Sequence, residues 1–218
     1  MAKRKVSEVA TLERYRVALE NVVSQSEIAR IMAEFGYESS LIEEGKNLYS
    51  ETRQAYDLNV KEDDETSFSY SNFSGKRDLV ADTYGLHRKK GKVIFRNDPQ
   101  TLKKLVLDGT MPTTYVKWLE TIKKFYSELL SDNELQTKIS RLKVTADDLN
   151  AASALISELE SARSEYMKEK GESQDATKQK DSTFAKLDDW MSEFYAVARI
   201  ALEDNLQLLE ALGVLVRN

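Results

Sequence analysis

One histidine and no cysteine bound the catalytic and metal chemistry open to this 218-residue chain. Without thiolates there are no zinc fingers, iron–sulfur clusters, disulfides or cysteine nucleophiles. His87 lies in the run His87-Arg88-Lys89-Lys90. It could act as a general base or a single metal ligand, but nothing near it resembles a nucleophile–base–orienter set. The expectation is a surface histidine on a basic helix end. Carboxylates offer oxygen ligands for a hard cation, and Asp78 and Asp82 stand four residues apart, on one helix face. Glu51 and Glu158, Asp78 and Asp189, and Asp82 and Glu193 recur at similar places in the two halves. The carboxylate-bridged dimetal bundle needs Glu-x-x-His on two helices, and that pattern is absent. These acids read as a solvated face, so no metal or cofactor is expected.

The positive charge is concentrated. Residues 75–104 carry +6, whereas residues 1–74 carry −5, 105–144 carry +1 and 145–218 carry −7. The candidate anion-binding residues are Arg88, Lys89, Lys90, Lys92 and Arg96, with Gly91 letting backbone approach a phosphate. No Gly-x-x-x-x-Gly-Lys-Ser/Thr occurs. A net charge of −5 argues against general coating of nucleic acid.

The elements that must position these residues are helices. Hydrophobic residues make up 41% and charged residues 32%, with only 8 Gly and 2 Pro, which disfavours Gly/Pro-rich sandwiches and nucleotide-binding α/β folds. Leu12, Tyr15, Leu19, Val22 and Val23 recur at helical spacing, and so do Ile28, Ile31, Met32 and Phe35 up to Gly36. Ser24/Glu27 and Ser40/Glu43 read as capping boxes, Thr145 with Asp147-Asp148 as a helix start, and Asp98-Pro99 as an N-cap followed by an N1 proline, with Gly109 closing that helix. The polar stretch 61–67 reads as a loop, 168–182 as a loop or an exposed helix end, and Gly91 as an interruption. Tyr115, Trp118, Phe125 and Tyr126, then Trp190 and Phe194, supply aromatic core. The tail Lys3-Arg4-Lys5 has no apolar run behind it, and no run of 18 apolar residues exists. A cytoplasmic protein with no membrane partner is expected.

The sequence also repeats. Ser24–Ile28 matches Ser131–Leu135, and Leu48-Tyr49-Ser50-Glu51 matches Leu155-Ile156-Ser157-Glu158, at an offset of 107 residues. Phe73/Phe184, Tyr84/Tyr195 and Arg88/Arg199 then pair at 111, and Asp98/Asp204 at 106. The predicted fold is all-α, a tandem duplication of a four-helix up-and-down bundle of roughly 107 residues, with halves 1–109 and 110–218. The predicted function is a non-enzymatic scaffold or assembly protein that binds a protein partner or itself. A nucleic-acid or polyanion module using residues 76–104 is the second expectation, and a carboxylate metal bundle the third.

Overall fold

The computed structural model describes residues 6–214. The basic tail Lys3–Lys5 lies outside them. Among the described residues the regular elements are all helices: α1 (Glu8–Ser24), α2 (Ser26–Glu34), α3 (Ser39–Ile94), α4 (Pro99–Lys104), α5 (Tyr115–Leu130), α6 (Asn133–Ser140), α7 (Ala146–Ala201) and α8 (Leu206–Ala211). None is long and apolar enough to cross a membrane.

Side-chain caps fix where several helices start, although α2, expected to start at a Ser24/Glu27 box, begins after Gln25 with no side-chain cap. Ser7 accepts from the Ala10 amide, Asp98 from Thr101, Asp132 from Glu134 and Leu135, and Asn205 from Leu208. Thr145 and Asp148 form a reciprocal box: each side chain accepts the other's backbone N–H, at 3.2 and 2.8 Å. Asp132, not Ser131, caps α6, and Asn205 rather than Asp204 caps α8.

Left-handed residues follow α2, α4, α6 and α8. Gly36 has φ +91° and ends α2 with the Tyr37 amide bonded to the Met32 carbonyl and the Gly36 amide to the Ala33 carbonyl. Gly213 (φ +76°) ends α8 in the same way. After α4, Val106 takes this position (φ +53°), so Val106 closes the helix where Gly109 was expected to. Lys143 (φ +55°) follows α6.

Both polar stretches are helical, 61–67 where a loop was expected and 168–182 in the interior of a helix, not at its end. Residues 61–67 lie inside α3 and 168–182 inside α7, each a 56-residue helix, and Gly91 is helical too. Lys, Glu and Gln are good helix formers, and no proline interrupts either stretch. Polar bonds replace apolar contact here. Asn59 donates to Thr177 (3.1 Å), Ser173 to Asp63 (2.6 Å) and Thr66 to the Glu169 carbonyl (3.1 Å).

The chain forms two compact units, Met1–Asp64 with Gly171–Asn218, and Glu65–Lys170. They cut across the halves 1–109 and 110–218. In the first unit, α1, α2 and the start of α3 pack on the end of α7 and on α8. Its core joins Leu12, Leu19, Ile28 and Met32 to Leu187, Met191, Phe194 and Leu212. Gly45 is required there, because a Cβ would run into the Trp190 ring. That ring stacks on Phe194 at 5.5 Å and meets Tyr37 edge-on at 5.8 Å. In the second unit, α5, α6 and the start of α7 pack on the end of α3 and on α4. Its core joins Val80, Tyr84, Phe95 and Leu105 to Ile122, Phe125, Leu149 and Leu159. Phe73 stacks on Tyr166 (5.9 Å, 4°) and Arg163 covers the Tyr115 ring at 4.0 Å.

Candidate functional site

The second half of α3 carries the basic segment, and helical geometry divides it. Arg88 turns toward the protein and donates to the Gly109 carbonyl, with its Nε buried and unpartnered. Lys90 reaches the Lys143 carbonyl at 3.3 Å. Lys89, Lys92 and Arg96 are exposed. The five candidate residues therefore form no single cradle: two hold loop carbonyls and three face solvent. Lys76 pairs with Glu158 at 2.7 Å, and Lys104 with Glu128 and Asp132 at 3.5 and 3.1 Å.

His87 is a correction to the sequence reading. It is 6% exposed, and its Nδ1 shares a 3.0 Å hydrogen bond with the Tyr126 hydroxyl. Burial lowers its pKa below the ordinary value, Lys90 lowers it further, and Asp148 opposes both. Burial raises the Tyr126 pKa. The pair is a closed polar contact within the core. A basic neighbourhood in sequence did not reveal this, because His87 falls on the same face as Val80, Tyr84 and Gly91.

The recurring carboxylates do not gather. Among the described residues Glu51, Glu158, Asp78, Asp189, Asp82 and Glu193 belong to no group of three potential metal ligands.

A cleft of about 440 Å³ in the first unit was not read from the sequence. Arg14 lies over the rings of Tyr15 (5.1 Å) and Tyr195 (5.8 Å). Tyr15 donates to Asp188 at 2.8 Å, and burial with that carboxylate pushes its pKa up to about 12. Arg199 donates to the Tyr195 carbonyl at 3.3 Å. Both arginines are already engaged, and Asp188 puts negative charge in the wall. The cleft is therefore a poor receptor for an anion.

The outer face of α3 is more distinctive. Phe68, Leu79, Leu86 and Val93 are 78%, 51%, 53% and 58% exposed and share the side opposite the buried Phe73, Val80, Tyr84 and Gly91. Leu79, Leu86 and Val93 stand at strict seven-residue spacing. Asp78 and Asp82 flank the N-terminal end of this row and Lys89 and Lys92 its C-terminal end, all exposed. A row of large apolar side chains left in water on one helix face is a candidate contact surface. Its sequence signal is the heptad spacing of apolar residues out of phase with the core stripe.

No family model, curated protein or solved structure matches the chain.

Proposed function

We propose that this chain is a non-enzymatic interaction and assembly protein built by duplication of a helical unit. The observation that carries the functional part is the apolar row on α3. The residues 107 positions later on α7, at Leu79, Leu86 and Val93, are Lys186, Glu193 and Ile200. Two of the three are charged, so the fold does not require an apolar outer face at these positions.

Four features support the duplication. Helices α3 and α7 are both 56 residues long and start at Ser39 and Ala146. The buried set Leu12, Tyr15, Ala18, Leu19 and Val22 falls 107 residues before the buried Leu119, Ile122, Phe125, Tyr126 and Leu129. Left-handed Gly36 corresponds to left-handed Lys143, and Val106 to Gly213. The caps Asp98 and Asn205 also correspond. All of these correspondences share the single offset of 107. The repeats are 1–109 and 110–218, while each compact unit combines the start of one repeat with the end of the other.

The test is photo-crosslinking in cells that make the protein, with a photoreactive residue at position 86 or at position 193. Protein adducts at 86 and none at 193 are expected. No protein adduct at 86 overturns the interaction reading.

The exposure of Lys89, Lys92 and Arg96 favours a second reading, polyanion binding. Affinity for nucleic acid would then fall steeply with salt, and Lys89→Glu with Lys92→Glu would flatten that slope. Absence of binding at low salt removes this reading.

A further inference from the structure

We propose that the occupant of the α3 face is a second copy of this chain, docked antiparallel through the same face and centred on Leu86; this rests on the interaction reading above.

The argument is self-complementarity. A two-fold contact presents one patch to itself, so residues at equal distances before and after the axis meet. With the axis at Leu86, Leu86 meets its own copy. Leu79 meets Val93, seven residues to either side. Charge follows the same centre. The exposed Asp82 lies one turn before Leu86 and Asp78 two turns before. The exposed Lys89 lies about one turn after it and Lys92 about two. In the antiparallel pairing each acidic end faces a basic end, so four complementary charge contacts flank three apolar layers. A parallel pairing would set Asp78 and Asp82 against themselves and Lys89 and Lys92 against themselves, which like-charge repulsion disfavours. The row is free to dock, because each of its three apolar residues is more than half exposed. No strained group has to be buried uncompensated, since the carboxylates and ammonium groups at both ends find partners at a solvated rim.

Purified full-length chain is measured by sedimentation velocity from micromolar to millimolar concentration. A monomer–dimer equilibrium is expected. Leu86→Glu should weaken it by about tenfold or more, because it sets two carboxylates against each other at the axis. Asp82→Lys and Lys89→Glu should each weaken it, and the double variant should restore it, because the swap re-forms the pairs. All these positions are exposed, and unchanged helical circular dichroism checks the fold. The absence of cysteine gives an orthogonal test. Under mild oxidation Leu86→Cys should form a disulfide-linked dimer, whereas Val93→Cys and Glu193→Cys should not. A monomer at every concentration overturns the proposal, and so does a dimer indifferent to Leu86→Glu. If the purified chain is monomeric but position 86 still crosslinks to another protein in cells, the interaction reading stands and self-docking fails. If position 86 crosslinks to nothing, both fail.

Discussion

Val106 holds a backbone angle that β-branched residues rarely adopt. Its φ of +53° closes α4 in the place that Gly213 fills after α8. A left-handed residue with a Cβ costs about 1–2 kcal/mol, and glycine gives back part of that through unfolded-chain entropy. Val106→Gly is therefore expected to raise stability by up to about 1 kcal/mol in chemical denaturation; a loss of stability would show that the half-buried side chain matters more than the strain. His87 poses the opposite problem, a polar group that the core has had to satisfy. The positions 107 residues from His87 and Tyr126, Phe194 and Leu19, are apolar and buried in the core of the other unit. His87→Phe alone leaves the Tyr126 hydroxyl without its partner and should cost about 1–3 kcal/mol. His87→Phe with Tyr126→Phe should recover most of that. The pair also sets a pH dependence. The folded state holds the His87 pKa below the ordinary 6.5, so the unfolded chain binds the proton first. The resulting stability is present above about pH 6.5 and is lost as pH falls. Denaturation at pH 7 and pH 5 should show the wild type losing more than the double variant. The Asp98 cap and the start of α7 after Thr145 were legible in sequence because a cap depends on two or three neighbouring residues. The burial of His87 was not, because it depends on α5 arriving opposite α3.

At the scale of elements, the polar stretches 61–67 and 168–182 show why loops and exposed helix are easily confused. Both lack the apolar period, because their cross-helix contacts are polar, as in Asn59–Thr177 and Thr66–Glu169. The absence of proline and the run of Lys, Glu and Gln were the better guide. The apolar stripe of α7 beyond the second stretch was legible, since burial there is by helical face, at Leu187, Met191, Phe194 and Ala198; Gly91, read as an interruption, is instead buried within α3. Glycine reports on the same distinction. Gly85 and Gly171 are interior to long helices, and a Cβ at either would meet nothing within 4 Å. Each substitution to alanine should add about 0.5–1 kcal/mol to stability, and the double variant should show a raised melting temperature by circular dichroism. Gly45→Ala should do the reverse, because its Cβ runs into the Trp190 ring and must displace a side chain stacked on Phe194. Overpacking of this kind costs about 1–3 kcal/mol. If Gly45→Ala were neutral, Trp190 would be free to move, and its place in the core as described would be wrong.

For the whole molecule, the proposed repeat at 107 residues and the division of the core are separate matters, and sequence comparison bears only on the first. Self-similarity shows which segments correspond. It does not say whether a segment packs on its own half or on the other, because corresponding stripes present the same apolar pattern to either. The cores decide this. One joins residues 12–42 to 184–212, and the other joins 73–107 to 119–162. Each therefore needs both halves, and only the connection between α4 and α5, around Asp108–Thr114, joins the halves in sequence. Cutting there provides the test. A protease site inserted between Gly109 and Met111 lies in an irregular, mostly exposed stretch, so insertion should leave the fold intact. After cleavage the two fragments should stay together, with the sedimentation coefficient and helicity of the uncut protein. Unfolding in urea should become dependent on protein concentration, because the cut turns one folding reaction into an association. Two independent bundles would instead separate on cleavage into particles of half the mass, with unfolding insensitive to dilution.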